Sequence, residues 1–184
     1  MNGEVKQLVD AVEDQRMTLL ANASLVSEAE GVIRPAEHAW SVAEIVEHLY
    51  LAELGGIAKI WAALESFKTG KQWDGPLPHH SKRIDHVVAE TWKPKEIAPP
   101  VATPHIGGPL GCWLVMLRSL TPVLVELGRS LDDHPLEKIV FPHYLSGPLD
   151  ARQRLEFLGF HMDRHLAQIE QTVRTVRASD TGVR

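Results

Sequence analysis

The sequence carries ten histidines in 184 residues, and two of them have a spacing that could do chemistry. His161 and His165 are four residues apart, so on an α-helix their side chains would lie on one face, one turn apart. Neutral imidazoles in this arrangement can hold a divalent metal ion. Two solvated surface histidines could have the same spacing. In a chain of this composition, about 0.5 histidine pairs four residues apart are expected by chance.

His48 is the third candidate, because it occupies the matching flank of another helix. At about 100° per residue, His161 and His165 lie roughly 240° and 280° from Leu155, near the centre of their apolar stripe. His48 lies roughly 240° from Val42 in the corresponding stripe of the second helix. In a bundle, two such edges can meet at one end of the core and bring the three imidazoles to one ion.

Other residues could contribute to this site or compete with it. Glu44 lies one turn before His48 and could orient its imidazole, although the same carboxylate is suited to capping the helix. Alternatively, His48 is a partly buried histidine that hydrogen-bonds a backbone carbonyl or Glu44. His143 precedes the last helix and is a weak extra candidate ligand, since its loop could fold back over the metal. Cys112 lies among apolar residues and is expected to be a buried, inert thiol.

The composition limits the partners and the compartment. The net charge of −5 and the pI near 6.0 argue against a general basic surface for nucleic acid or for anionic membranes. The longest nearly uncharged apolar stretch, residues 107–117, is shorter than the ~20 residues of a membrane helix. A single cysteine cannot form an internal disulfide, which favours a reducing, cytoplasmic location. The sequence has no phosphate-binding loop, no G-x-S-x-G motif and no H-E-x-x-H motif.

Four amphipathic segments must position the histidines. Apolar residues at helical spacing predict helices over about residues 4–23, 41–67, 109–131 and 150–177. Capping-box patterns begin the second and the fourth, at Ser41 with Glu44 and at Asp150 with Gln153. Pro122 is expected to kink the third helix.

The stretch between the second and third helices has a different character. Residues 68–108 contain many prolines and glycines, which predict an irregular connection with one short helix over about residues 81–91. Strand signals are thin along the whole chain. We therefore predict a single all-α domain over residues 1–184, folded as a four-helix bundle.

Three segments of the chain resemble parts of the DinB/YfiT-like metal-binding proteins. Residues 40–53, WSVAEIVEHLYLAE, are similar to the second helix of that family. Residues 147–169, GPLDARQRLEFLGFHMDRHLAQI, are similar to its fourth helix, with an H-x3-H pattern followed by a glutamine. Residues 97–104, IAPPVATP, resemble the connection before its third helix. Their order and separation match the family over most of the chain, which is identified as a member of the DinB superfamily.

The resemblance implies a four-helix bundle with a long crossover connection between helices two and three. It also implies that His48, His161 and His165 bind one divalent metal ion, which is zinc, nickel or iron in this family. Three ligands would leave an open position on the ion, facing a pocket partly walled by residues 68–108. Many members are homodimers, and the five tryptophans of this chain suit an interface.

The activities of the family set the expected function. They include thiol S-transfer and isomerisation with a low-molecular-weight thiol as cosubstrate, and metal-dependent hydrolysis is a common description of its members. The resemblance therefore implies a metal-dependent thiol S-transferase or hydrolase that acts on a small molecule, with neither nucleic acid nor a membrane as partner. The alternative is a non-catalytic helical binding or stress-associated protein whose metal site is structural or vacant.

Overall fold

The computed structural model describes residue 1 and residues 3–93 and 97–181. Its helices are α1 (Gly3–Ala23), α2 (Glu28–Gly31), α3 (Val42–Lys68), α4 (Ile84–Thr91), α5 (Leu110–Arg118), α6 (Thr121–Leu131) and α7 (Ala151–Thr181). The antiparallel hairpin of β1 (Val140–His143) and β2 (Gly147–Asp150) directly precedes α7. Short 3-10 turns lie at Pro100–Ala102 and Leu136–Lys138.

Four helical segments form the bundle: α1, α3, the pair α5–α6, and α7. The α1 helix packs on α7 and on the α5–α6 pair, and α3 packs on the same two partners. The apolar faces of all four meet in one core, which includes Val9, Leu19, Leu20, Ile45, Leu49, Ile57, Leu64, Leu117, Leu124, Leu127 and Leu155. The predicted all-α bundle is thus the observed fold, and the contact between α3 and α7 brings their histidine-bearing flanks together.

Both predicted capping boxes are present. Ser41 Oγ accepts from the Glu44 N–H at 3.3 Å, and the Glu44 carboxylate accepts from the Ser41 N–H at 2.8 Å. The side chain of Asp150 accepts from the Gln153 N–H at 2.8 Å, and Gln153 Oε1 accepts from the Asp150 N–H at 3.2 Å. These boxes satisfy backbone donors at the starts of α3 and α7, so they fix where both site-bearing helices begin.

The predicted third helix is broken rather than kinked. The α5 helix ends at Arg118 and α6 begins at Thr121, with Pro122 in its first turn. A proline in the first turn removes an N–H that has no partner within the helix anyway. Pro122 therefore begins a new helix instead of disturbing one continuous helix.

The hairpin is a feature that the thin strand signals did not predict. Its pairing sets Pro142 opposite Pro148 and His143 opposite Gly147, which adopts a positive φ of 69° at the end of the turn. Each proline removes a ladder donor, so the alternating pattern that normally identifies a strand is lost from the sequence. The hairpin matters for the site because it places His143 beside α7.

The connection between α3 and α5 is fastened to the helices by side chains. The Glu47 carboxylate accepts hydrogen bonds from the backbone N–H groups of His105, Ile106 and Gly107, at 2.6, 2.7 and 3.1 Å. At the other end of the connection, Glu156 of α7 accepts from the N–H of Ile84, the first residue of α4, at 3.0 Å. Glu47 is 1% exposed, and a buried carboxylate needs hydrogen-bond donors of this kind.

One described segment, Leu110–Leu131, has the length and composition that a membrane span requires, with a mean hydropathy of 1.5. It is interrupted between α5 and α6, and its leucine stripe packs into the bundle core. Core helices of water-soluble proteins meet the same criterion, so this is weak evidence for a membrane span.

A buried ion pair crosses the bundle between α1 and α3. The Arg16 side chain is completely buried, and its guanidinium pairs with Glu53, which is 3% exposed, and with the partly exposed Glu13. Arg16 Nη1 also donates to Thr121 Oγ1 at 3.1 Å, which ties α6 to the pair.

Arg16→Met should destabilise the fold by about 3–5 kcal/mol, because it leaves the Glu53 carboxylate buried without its cation. The double variant Arg16→Met/Glu53→Leu should recover most of this loss, since it removes both charges. Urea unfolding of the wild type, both single variants and the double variant gives the coupling free energy. Additive effects of the two substitutions would contradict the pairing.

Candidate metal site

The three predicted histidines meet where α3 packs on α7. His161 Nε2 lies 3.2 Å from His48 Nε2 and 3.1 Å from His165 Nε2. All three ligand atoms lie within 4.8 Å of one another. Metal–nitrogen bonds of ~2.0–2.1 Å in tetrahedral geometry separate two ligand nitrogens by about 3.3 Å. The observed distances between the Nε2 atoms therefore suit a single ion, with few adjustments of the side chains.

The second ring nitrogen of two of these histidines is already occupied. His48 Nδ1 donates to the carbonyl oxygen of Ala102 at 2.7 Å, and His165 Nδ1 donates to Gln168 Oε1 at 2.7 Å. With the proton held on Nδ1, the Nε2 lone pair of each ring is directed into the cluster. Outer hydrogen bonds of this kind fix the orientation of metal-binding imidazoles. The donor set fits a divalent ion.

Glu44 does not orient His48, contrary to one interpretation of the sequence. Its carboxylate turns back to the helix start, where it accepts from the Ser41 N–H and pairs with Arg34. The Glu44 carboxylate therefore caps the helix and does not contact His48. The alternative expectation of a backbone carbonyl partner for His48 is the one that the structure shows, at Ala102.

Burial makes the cluster neutral. Desolvation is the main cause that lowers the pKa of all three imidazoles, and it brings that of His165 to about 3. The neighbouring imidazoles lower the pKa values of His161 and His165 further, because a positive charge on one ring disfavours a charge on the next. At neutral pH the rings therefore offer lone pairs rather than carry protons.

The cluster opens into a pocket of about 760 Å³ between α3, α7, the hairpin and the connection. Trp40 packs against His48 with ring centroids 4.9 Å apart, and Phe157 stacks on His161 at 5.4 Å. The predicted contribution of the connection is present, because residues 97–99, 101 and 102 form part of the wall. A cavity of this size and mixed polarity suits a small molecule.

His143 lines the same pocket but stands outside the group of candidate ligands. Its Nδ1 accepts from the backbone N–H groups of Leu145 and Ser146, both at 3.2 Å, within the hairpin turn. Because these donors occupy the Nδ1 lone pair, the neutral ring carries its proton on Nε2. His143 therefore presents a donor rather than a ligand atom, and its ring packs on Phe157 with centroids 4.5 Å apart.

Cys112 is exposed on α5, so the expectation of a buried thiol is wrong. The buried stripe of α5 consists of Leu110, Trp113 and Leu117, whereas Val115 is 68% exposed. Cys112 lies off that stripe. An apolar neighbourhood in the sequence does not by itself place a residue on the buried side of a helix.

The sequence analysis assigned no role to two residues of the pocket on α7, Gln168 and Arg154. Gln168 lies three residues after His165, a spacing that allows contact on a helix. Arg154 lines the pocket and lies roughly 260° from Leu155 on the helical wheel, which is the flank of His161 and His165. Extending the wheel argument from histidines to all polar residues would have found Arg154.

The comparisons with known proteins agree with this architecture. The solved structure described as YfiT from Bacillus subtilis, a probable metal-dependent hydrolase with an unusual four-helix bundle topology, is similar with a TM-score of 0.60. The two chains are 14% identical, and the similarity covers 95% of this chain and 89% of that one. No curated protein matches the sequence. The family model of the DinB superfamily matches residues 11–169, and the chain therefore belongs to the DinB superfamily.

Proposed function

We propose that the protein is a divalent-metal-dependent hydrolase that acts on a small molecule. The observation that carries this proposal is the cluster of three imidazole nitrogens at ligand spacing, set at the end of an open pocket. The description of YfiT as a probable metal-dependent hydrolase supports it, although 14% identity makes that likeness one of fold.

His48, His161 and His165 would hold the ion, and three neutral nitrogen ligands suit zinc, nickel or iron. When bound in such a site, the ion supplies a positive charge and an open position, which lowers the pKa of water toward ~7 or favours a thiolate. Structural zinc sites normally have four protein ligands, and the three-histidine set is typical of reactive sites instead.

The remaining residues of the site hold and shield these ligands. The Ala102 carbonyl and the Gln168 amide fix the ring orientations of His48 and His165. Trp40 packs against His48, and Phe157 stacks on His161, so each aromatic ring shields one side of an imidazole. Partial shielding and fixed orientation strengthen the electrostatic interactions made inside the site.

Thiol S-transfer with a low-molecular-weight thiol as cosubstrate is the second reaction class that we propose to test, because the same open position can hold a thiolate. A homodimer and a cytoplasmic location remain predictions. Sedimentation at micromolar concentration tests the dimer directly.

His161→Ala should abolish stoichiometric binding of zinc, because His161 Nε2 lies within 3.2 Å of both other ligand atoms. His86→Ala removes an exposed histidine of α4 and is the matched control. Elemental analysis after zinc loading should find one ion per chain in the wild type and in the control. Circular dichroism should show unchanged helix content. One ion per chain in His161→Ala would contradict the site.

Gln168→Leu should weaken zinc affinity by about 10- to 100-fold, because it removes the acceptor that orients His165. Gln171→Leu changes an exposed glutamine one turn further along α7 and should leave the affinity unchanged. Competition with a chromophoric chelator measures both dissociation constants. Equal affinities for the two variants would assign Gln168 no part in orienting the ligand.

The reaction class is tested with zinc-, nickel- and iron-loaded protein on a panel of small esters, amides and epoxides, with and without a low-molecular-weight thiol. Metal-dependent turnover without thiol supports the hydrolase, and turnover only with thiol assigns the transferase instead. His161→Ala should lose either activity, which excludes a contaminating enzyme. Full metal loading without turnover on any substrate would favour the non-catalytic alternative.

A further inference from the structure

Arg154 is a buried cation without a carboxylate beside it. It lies on α7 at 5% exposure, and its side chain lines the pocket. Within residues 3–93 and 97–181, no acidic side chain forms an ion pair with its guanidinium. Desolvation lowers the pKa of Arg154 to about 10, and the group stays charged at neutral pH. A buried charge without a counterion destabilises a fold, so its retention calls for a partner from outside the chain.

The surroundings of Arg154 are also electropositive. Arg154, Lys59 and His143 line the same pocket, and after burial the charges of Arg154 and Lys59 are the causes that lower the pKa of His143. Arg164 lies over the Trp92 ring at 5.6 Å on the same wall. The acidic side chain in the described lining is Glu53, which is engaged by Arg16. The pocket therefore presents a positive field to anything that enters it.

The position of Arg154 relative to the histidines limits the size of what binds. Arg154 precedes His161 by seven residues on one continuous helix, which is about two turns or ~10 Å along the axis. Both side chains lie on the same flank of α7 and line the same cavity. One small molecule can therefore reach the guanidinium with one end and the imidazole cluster with the other.

We propose that this pocket binds small organic molecules that carry a carboxylate, with Arg154 as the anchor of that group and the reacting end at the histidine cluster. The planar guanidinium offers two parallel N–H donors, which match a carboxylate in a way that a lysine ammonium does not. The Nε2–H of His143, fixed by its hairpin, supplies a further donor on the same wall. The proposal rests on the proposed function for the reacting end, whereas the anchoring of the carboxylate is independent of it.

A chain-length series of probes tests the anchor. Cobalt-loaded protein is titrated with ω-mercaptocarboxylates of three to eight carbons and with mercaptoalcohols of equal length. The thiolate-to-cobalt absorption band reports binding for both series. In the wild type, the best carboxylate should bind about ten- to a hundredfold tighter than its alcohol, as expected for a charge-assisted hydrogen-bonded pair.

Arg154→Met should remove this preference and leave the affinity for the mercaptoalcohols unchanged. Arg174→Met is the matched control, since it removes an exposed arginine of the same helix that lies outside the pocket lining, and it should keep the preference. Arg154→Lys keeps the charge and should retain only part of the preference. Arg154→Met should also raise the melting temperature, because it removes a buried charge that has no carboxylate partner.

No preference for carboxylates in the wild type, or the same preference in Arg154→Met, would overturn the proposal. If the protein binds no cobalt, the proposed function fails, and the anchor is then tested separately on metal-free protein. Isothermal titration with hexanoate and with hexanol, on the wild type, Arg154→Met and Arg154→Lys, serves that purpose. Hexanoate binding that is lost in Arg154→Met supports the anchor, and equal binding or none in the wild type overturns it.

Discussion

The site depends on how two buried side chains of α3 bind the irregular connection. Glu47 and His48 are neighbours on α3, and both side chains are buried and bind this connection. The Glu47 carboxylate accepts hydrogen bonds from three consecutive N–H groups, and His48 Nδ1–H donates to the carbonyl oxygen of Ala102. The same contacts that hold the connection down also set the tautomer of His48. The folded connection therefore also holds the imidazole of His48 in the orientation that a metal ligand needs.

Much of this arrangement follows from local rules that a sequence displays. The capping boxes at Ser41 and Asp150 fix the helix starts, and the apolar period fixes which flank faces the core. Together they place His48 on an edge that faces His161 and His165, which is why His48 could be grouped in advance with a histidine pair 113 residues away. The outer partners could not be derived in this way, because Ala102 contributes a backbone carbonyl that carries no signature of its residue type.

The differences from the sequence-based expectations arise where one local pattern allows more than one structure. The hairpin was not predicted because its prolines lack the backbone N–H groups of a strand ladder and interrupt the alternating pattern that identifies a strand. The hairpin turn then determines the role of His143, because two backbone N–H groups occupy its Nδ1 lone pair. The Glu44 carboxylate could cap the helix or orient His48, and in the structure it caps the start of α3 and pairs with Arg34. The partners in each case are close in sequence, but the residue types alone do not show which of the possible contacts forms.

One flank of α7 carries buried polar groups whose partners a ligand could supply. Arg154 is buried without a carboxylate, and the Nε2 atoms of His161 and His165 lie 3.1 Å apart in a neutral cluster. The buried charge of Arg154 disfavours the folded state and would be relieved by an anion at the guanidinium, whereas a cation at the imidazoles would find three nitrogen ligands already close together. A ligand that binds only the folded chain stabilises it by about 2.7 kcal/mol at a hundred times its dissociation constant. The leucine core stabilises the bundle on the other side of this helix. The chain can therefore tolerate a destabilising buried charge on the flank where ligands of opposite charge would bind.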